Sequence, residues 1–323
     1  MSRSLKAHLL LISITIIWGS TFVVIKHALL DVSPLFFNAV RMSLAAITLV
    51  LVFQRELTRM SGSSVAYGAL VGTFLWMGNE LQTYGLKYTT PSKSAFLTGV
   101  SVVLVPVFLA LFWKRGISLW SALGVGMTCM GFYLLAVPVT GNDGSRLQSI
   151  NYGDLITLLA AVVFAFHIIY MGHATQAHSW KQIVMVQTGV AAVLMILAAP
   201  LAERVHVIWS GRVISGILIT GFLSLALAFA IQAWAQQFTP PTHTALIFSL
   251  EPVFAWVTAF VFLGERLGGR GGLGALLILG GVLISEEKGA FESIAVAPDH
   301  AGVPPSPTPP EKWQMAGKQA QNP

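Results

Sequence analysis

Charged residues are scarce in this chain: only 10% of its 323 residues are Asp, Glu, Lys or Arg, whereas soluble domains carry about 25%. Hydrophobic residues make up 55% of the chain, and its mean hydropathy is +0.73. This composition predicts a polytopic membrane protein. The excess of 19 Lys and Arg over 13 Asp and Glu then reflects loops that set membrane topology, and it does not indicate a nucleic-acid partner.

Cysteine is almost absent, and the common nucleotide and zinc motifs are missing. The single cysteine, Cys129, lies in an apolar run, so an intramolecular disulfide and a cysteine-only metal site are excluded. The sequence has neither the phosphate loop G-x-x-x-x-G-K-[ST] nor the signature H-E-x-x-H. We therefore expect no enzyme, no cofactor, no metal and no ATP site, and any driving force would come from a gradient.

Apolar segments long enough to cross a bilayer follow one another along the chain. They lack the alternation of barrel strands, so we predict helices. The first is too long for the apolar region of a signal peptide and lacks an A-x-A site, so we predict a retained span. The ten predicted spans are residues 7–27, 34–53, 64–86, 91–112, 117–138, 152–172, 181–201, 213–236, 242–262 and 269–285.

The two halves of the chain repeat each other at a nearly constant offset. A shift of 150 residues places Gln82 on Gln232 and Pro91 on Pro241. Near the start a shift of 146 fits better and places Thr21 on His167. Each copy holds five spans, and an odd number inverts the second copy in the membrane, as in many secondary transporters whose substrate site lies near the midplane.

We therefore predict an all-α polytopic membrane protein with ten transmembrane helices in two inverted five-helix repeats. The tail is rich in proline and poor in apolar residues, so we expect it to be disordered. The predicted divisions are a first repeat over 7–138, an inter-repeat loop over 139–151, a second repeat over 152–286 and a cytoplasmic tail over 287–323.

Loop charges indicate the orientation only weakly. With a cytoplasmic N-terminus, the short loops on each side of the membrane hold eight Lys and Arg residues. The first span and its flanks usually dominate, and here Arg3 and Lys6 precede that span. We expect a multi-pass protein of the cell inner membrane with both termini in the cytoplasm.

Several motifs together resemble the EamA-type permeases of the drug/metabolite transporter superfamily. They are Trp18-Gly19-Ser20-Thr21-Phe22, Leu250-Glu251-Pro252-Val253-Phe254-Ala255, Leu263-Gly264-Glu265-Arg266-Leu267, Gly274 and Gly280-Gly281-Val282. The likeness covers about 7–286, and the two halves resemble the two EamA repeats. The first half departs from the pattern, because Lys114-Arg115 stands where the second has Gly264-Glu265. The resemblance implies transport of amino acids, other small metabolites or drugs, often outward, without implying one substrate.

Two carboxylates inside predicted spans are candidates for substrate binding or ion coupling, because a charge at that depth is costly unless it has a function or a partner. Glu80 shares a helix face with Thr83 and Tyr84 in the third span. It is either a proton or cation-substrate site or an acid paired with Arg41, Lys26 or Lys93. Arg41, in the second span, is either a structural ion-pair partner or a group that captures a substrate carboxylate.

Glu251 is the second intramembrane acid, and Pro252 follows it. Proline lacks an N–H, so the carbonyl group near Phe248 would lose its helical partner and could contact a ligand. The alternative is a packing kink with Glu251 bonded to a neighbouring helix. Pro106 also interrupts its span, but it aligns with Trp256. We therefore expect the two kinks to lie at different depths.

Aromatic and hydroxyl groups at matching places of the two repeats are candidate walls of the cavity. Trp18 and Thr21 occupy the place that His167 and its neighbours occupy in the second copy, with Tyr170 following. Such groups suit an apolar ligand with a polar handle, and a histidine can also move protons. The alternative for each is ordinary core packing.

The remaining candidates concern the gate and assembly. Glu265 and Arg266, at the end of the ninth span, are either a turn or a gate salt bridge. Spans five and ten carry glycines that permit close helix approach, so they are either scaffold or a homodimer contact. Apart from this possible homodimer, the expected partners are a small-molecule substrate and the lipid bilayer.

The predicted function is a secondary transporter, in the outward direction, of amino acids or related small metabolites by alternating access. Glu80, Glu251 and His167 are the candidates for proton coupling. The alternatives are a facilitative channel or uniporter, and a membrane-embedded enzyme.

Overall fold

The structure is a computed structural model that describes residues 2–114, 118–136, 151–264, 269–270, 272–274, 276–281 and 284. It is built from helices, joined by short turns and one isolated antiparallel bridge between Val32 and Val207 in the described ranges. The helices are α1 (Arg3–Ala28), α2 (Pro34–Val52), α3 (Gly62–Tyr88), α4 (Pro91–Thr98), α5 (Ser101–Trp113), α6 (Leu119–Ala136), α7 (Tyr152–Ala177), α8 (Trp180–Ala202), α9 (Gly211–Ile219), α10 (Ala228–Ala235), α11 (Pro241–Phe248) and α12 (Glu251–Leu263).

Seven of the helical stretches in the described ranges are long and apolar enough to cross a membrane. Three of them are composite: α4 with α5, α9 with α10 through the π-helical segment Thr220–Leu227, and α11 with α12. The 27-residue α3 packs against α7 and α8. The described residues between 269 and 284 are also helical. The protein is therefore an all-helical membrane protein, as its composition predicts.

The repeat is visible in the geometry of two broken helices. The pair α4–α5 covers Pro91–Thr98 and Ser101–Trp113, and the pair α11–α12 covers Pro241–Phe248 and Glu251–Leu263, so each bound is displaced by 150 residues. The hydrogen bond from Val103 N to Val100 O (3.0 Å) recurs from Val253 N to Leu250 O (3.0 Å). The two breaks occupy equivalent places.

The expectation of kinks at different depths is therefore wrong. Pro106 lies inside α5, and the break in its span comes earlier, between α4 and α5. Pro252 lies in the first turn of α12, where a missing N–H costs nothing. A proline is thus not required for a helix to break at this place. The position of the break is the same in both repeats.

Glycines pack α6 against the last helical segment of the same chain. A Cβ atom at Gly131 would lie 2.6 Å from the carbonyl oxygen of Gly274, and one at Gly281 would lie 2.6 Å from that of Gly124. The two contacts are related by the 150-residue shift. These glycines serve an intrachain contact, so the expected homodimer through spans five and ten has no support from them.

The buried side chains of the described bundle form three main clusters. One joins α2, α3 and α8 around Met42, Leu75 and Met195. A second joins α1, α5, α7, α10 and α11 around Leu11 and Ile169. The third joins the end of α1 to α2 and α9. The inter-repeat loop and the predicted tail lie outside the described residues, except Asn151, which caps α7.

Candidate functional site

A cavity of about 80 Å³ lies where the two repeats meet. It is bordered by α1, α2, α3, α7 and the two broken helices near their breaks, as well as by the π-helical segment and α10. Its size is below the roughly 300–1,000 Å³ of most ligand pockets. The cavity is lined by Trp18, Thr21, Phe22, Ile25, Arg41, Asn79, Gln82, Thr98, Gly99, Ser101, Phe164, His167, Ile168, Ser224, Leu225, Phe229, Gln232, Phe248 and Glu251.

Most lining residues occur in pairs that the repeat relates. The 146-residue shift pairs Trp18 with Phe164, Thr21 with His167 and Phe22 with Ile168. The 150-residue shift adds four pairs: Asn79 with Phe229, Gln82 with Gln232, Thr98 with Phe248 and Ser101 with Glu251. The cavity therefore lies on the pseudo-twofold axis between the repeats, where inverted-repeat transporters place their substrates.

Arg41 supplies the cavity with a buried cation, only 2% exposed. Its Nε donates to Asn38 Oδ1 (2.9 Å), and its Nη2 donates to Asn79 Oδ1 (3.2 Å) and Thr83 Oγ1 (3.2 Å). These partners are neutral, so they orient the guanidinium without cancelling its charge. A guanidinium held in this way can bind a ligand carboxylate.

Glu80 is close to Arg41 but does not pair with it. Asn38 lies between them: its Nδ2 donates to Glu80 Oε2 (2.9 Å) while its Oδ1 accepts from Arg41. Among the described residues, no ion pair joins Glu80 to Arg41, Lys26 or Lys93. Lys93 contacts Asp154 instead, and Lys26 donates to carbonyl groups at the end of α3. Glu80 therefore forms no direct ion pair with any of these three cations, and Asn38 links it to Arg41 instead.

Glu251 supplies the cavity with a carboxylate at the start of α12. This carboxylate forms no hydrogen bond and no ion pair with another residue in the described part of the chain. The equivalent residue of the first repeat is Ser101, which also lines the cavity. The two repeats therefore give the site unequal charge, with the acid on the second and the cation Arg41 on the first.

Aromatic side chains form the apolar wall of the cavity. The Trp18 ring centroid lies 5.4 Å from that of Phe229 and 5.0 Å from that of Phe248. Trp18 Nε1 donates to the Ser224 carbonyl oxygen (2.8 Å), a main-chain group of the π-helical segment. This bond fixes the ring at the wall of the cavity. Single π-helical turns inside α-helices are frequent at functional sites.

His167 and Thr21 complete the polar lining from α7 and α1. The His167 ring stands 5.8 Å from that of Phe229, and its Nε2 bonds to Gln187 Oε1 (3.0 Å). Thr21 Oγ1 donates to the Trp18 carbonyl oxygen (2.8 Å) within its own helix. Gln187 is the residue that the 146-residue shift places on Arg41.

The structure thus brings six of the predicted residues to the cavity and keeps four away from it. Those at the cavity are Trp18, Thr21, Arg41, His167, Phe248 and Glu251. Thr83 bonds to Arg41 from behind, and Glu80 bonds to Asn38. Tyr84 packs beside Tyr88, and Tyr170 stacks on Phe74. Glu265 and Arg266 lie outside the described residues.

Sequence reasoning missed several lining residues, among them Asn79, Phe229 and Ser224. One signal could have found two of them, since Asn79 and Phe229 are related by the same shift that aligns Gln82 with Gln232. In the described ranges, no group of three or more His, Cys, Asp or Glu side chains is placed to hold a metal ion.

Two inverted helical halves around a central polar and aromatic cavity define a membrane transporter. The sequence profile of the EamA-like transporter family matches residues 5–137 and 151–286, and the chain belongs to this family. It is therefore a multi-pass membrane transporter and not an enzyme.

Its relatives include transporters from archaea and bacteria. The chain is 32% identical to an uncharacterized transporter of Archaeoglobus fulgidus over 284 residues, covering 87% of this chain and 86% of the relative. It is 28% identical to the uncharacterized inner membrane transporter YedA of Escherichia coli, with 80% and 82% coverage. A solved crystal structure shares the fold at a TM-score of 0.67 and 16% identity, covering 87% of this chain and 96% of the other.

Proposed function

We propose that this transporter exports amino acids or related small zwitterionic metabolites by alternating access. The proposal rests on one observation: the same cavity is lined by Arg41 and by Glu251. Opposite charges in one site suit a ligand that carries both a carboxylate and an ammonium group. The outward direction follows only from the family resemblance.

The aromatic wall supports a ligand whose remaining part is apolar. One side of the cavity is formed by Trp18, Phe229 and Phe248. The Trp18 ring centroid lies 5.4 Å from that of Phe229 and 5.0 Å from that of Phe248. Aromatic rings bind apolar groups by burial and ring contact. Since the cavity measures about 80 Å³, we propose that it widens when one end opens and admits the ligand.

Proton coupling is a further part of the proposal. Glu251 and His167 both line the cavity, so each is in position to exchange a proton with a bound ligand or with water. Glu80 would act through Asn38 and Arg41, because it does not reach the cavity.

A ligand screen followed by a transport assay tests the proposal. Purified protein in detergent is mixed with individual amino acids and with their amides and decarboxylated amines, and thermal unfolding is recorded. A ligand at 100 times its Kd stabilises the fold by about 2.7 kcal/mol, so hits appear as raised Tm values. We expect stabilisation by zwitterions and weaker stabilisation by the amide and the amine of the same side chain.

Counterflow in proteoliposomes then separates a carrier from a channel. We expect saturable accumulation of the labelled hit against an internal pool of the same compound, with loss of accumulation in Glu251→Gln. Stabilisation by amines and amides equal to that by zwitterions would contradict the substrate class. Flux without counterflow would contradict alternating access and support a channel.

A further inference from the structure

Asp154 is the centre of a polar contact between the two repeats. This carboxylate is 2% exposed. It accepts from Lys93 Nζ (2.5 Å), from Thr89 Oγ1 (2.7 Å) and from Asn151 N (2.8 Å). Lys93 and Thr89 belong to the first repeat and Asp154 to the second, so the contact holds the start of α4 against the start of α7.

Two further contacts strengthen closure at this end, which we call the Lys93 end. Lys26 Nζ donates to the carbonyl oxygens of Leu86 (2.8 Å) and Thr89 (2.7 Å) and so fastens α1 to the end of α3. Asn151 Nδ2 donates to the Tyr88 carbonyl oxygen (3.2 Å). Lys93 lies five residues before Thr98, a cavity residue, so the contact is about 7.5 Å along the helix from the cavity.

The repeat places a second contact at the equivalent position of the other end. The 150-residue shift takes Lys93 to His243, and the 146-residue shift takes Asp154 back to His8. The ring centroids of His8 and His243 lie 6.5 Å apart, and the two ring planes are tilted by 46°. His243 in turn lies five residues before the cavity residue Phe248. We call this the His8 end.

The two contacts lie at opposite ends of the cavity. His8 is near the start of α1 and Lys26, which belongs to the Lys93 end, is near its finish. They are 18 positions apart in the sequence, which corresponds to about 27 Å along the helix. Trp18 and Thr21 of α1 line the cavity between these two places.

We propose that Lys93–Asp154 and His8–His243 are the two gates of the transport cycle, one between α4 and α7 and the other between α11 and α1. The inference rests on the proposed alternating access. Transport requires α4 to separate from α7 at one time and α11 from α1 at another.

Thiol accessibility tests the gates without a substrate. The native thiol is removed by Cys129→Ser, and a reporter is introduced at Gln82→Cys or Gln232→Cys, which line the cavity at places related by the repeat. Gln82 lies on the α3 segment that leads to the Lys93 end, and Gln232 on the α10 segment that leads to the His8 end. A membrane-impermeant maleimide is applied from each side in oriented vesicles.

Opening the Lys93 gate should change the labelling rates of the two reporter cysteines in opposite directions. In Lys93→Ala we expect the labelling rate of Gln82→Cys to rise on the order of tenfold, which corresponds to about 1.4 kcal/mol and is close to the lower bound for loss of a hydrogen bond between charged groups. The labelling rate of Gln232→Cys from the other side should fall. Lys93→Arg keeps the cation and should restore both rates. His243→Ala should give the reverse pattern, with faster labelling at Gln232.

A matched control separates gating from general loosening. Lys181→Ala removes the ion pair with Glu56 (3.7 Å), which joins α8 to the 3-10 helix Gln54–Arg59 and contains no cavity residue. We expect both labelling rates to stay unchanged in this variant. The Lys93→Ala variant must still elute as a single species. If its two labelling rates are then unchanged, or both rise, these residues are not the gates.

The labelling assay and the ligand screen test the gates and the substrate class separately. A screen without zwitterion hits, together with reciprocal labelling, would remove the proposed substrate class and keep the gates. Zwitterion counterflow without reciprocal labelling would keep the transporter and remove these residues as its gates.

Discussion

Gly19 packs directly on the main chain of Glu251. A Cβ atom at residue 19 would lie 2.7 Å from the Glu251 carbonyl oxygen and 2.7 Å from the Ala255 nitrogen. The contact presses α1 against α12 at the height of the cavity, because Trp18 and Glu251 both line it. The Trp-Gly-Ser-Thr-Phe motif and the Glu-Pro motif are therefore two sides of one packing contact that positions the carboxylate of the site.

Replacing Gly19 should disturb the site through this contact. We expect Gly19→Ala to lower the free energy of unfolding by about 1–3 kcal/mol, as overpacking does. It should also slow transport, since α12 must shift and carries Glu251. Gly189→Ala is the control, because a Cβ atom there meets nothing within 4 Å. Thermal unfolding and counterflow check both effects, and equal Tm values for the two variants would contradict the close packing.

Arg41 should set affinity for the carboxylate of the ligand. Arg41→Gln gives the first repeat the residue that the second has at Gln187. We expect the Kd of the best zwitterion to rise about 10- to 150-fold, as for loss of a hydrogen bond to a charged group worth ~1.5–3 kcal/mol. The amide of the same compound should bind both proteins alike. Isothermal titration gives the four constants, and an equal loss for acid and amide would argue against direct contact.

Trp18 combines ring packing with one hydrogen bond, and two variants separate these contributions. Trp18→Phe keeps an aromatic ring but removes the bond to the Ser224 carbonyl oxygen. We expect this variant to lose about 1 kcal/mol of stability. Trp18→Ala also removes the contacts with Phe229 and Phe248 and should lose about 3–5 kcal/mol. Equal Tm values for the two variants would show that the ring contacts contribute little.

Lys114 ends α5 in the left-handed region at a φ of 51°, where its equivalent Gly264 ends α12 at a φ of 69°. A side chain in this conformation costs roughly 1–2 kcal/mol, and glycine avoids that cost. Lys114→Gly should therefore raise the free energy of unfolding by about 1 kcal/mol. Lys114→Ala keeps the Cβ atom and should leave it unchanged. A Tm increase in the alanine variant would point to the charge instead of the backbone.

The glycine contact between α6 and the last helical segment also has a matched test. Gly131→Ala should lower stability by about 1–3 kcal/mol, because its Cβ atom would meet the Gly274 carbonyl oxygen at 2.6 Å. Gly126 lies on the same helix with nothing within 4 Å, so Gly126→Ala should be neutral or stabilising. Light scattering should give one oligomeric state for both variants. A change of state in Gly131→Ala alone would place this glycine between copies.

Much of the fold could be predicted because membrane burial and repetition leave clear signals. The apolar run before Trp113 and the matched prolines Pro91 and Pro241 locate a span and its copy to within a residue or two. The kink positions were mispredicted because proline is a local signal. The break at Gly99 has no proline beside it, and it lies 150 residues before the equivalent break at Ser249.

The site was predicted in part. Trp18, Thr21 and His167 could be found because the repeat aligns them. Glu80 was placed at the site because its charge is costly in a span, but helix α3 turns it toward Asn38 and presents Asn79 to the cavity instead. A side chain one residue along a helix points about 100° away, and only the packed bundle decides which of the two faces the cavity.

The amino-acid sequence by itself determined that this protein is a helical membrane transporter built from two copies of one unit. Span length, the scarcity of charge and the constant offset between the repeats are evident from the sequence without knowledge of any tertiary contact. Only the tertiary structure decided the partners of its buried charges. Arg41 has a neutral shell, Asp154 pairs with Lys93, and Glu251 faces the cavity. These pairings depend on helix rotation and packing between residues far apart in sequence, which the pattern along one helix does not contain.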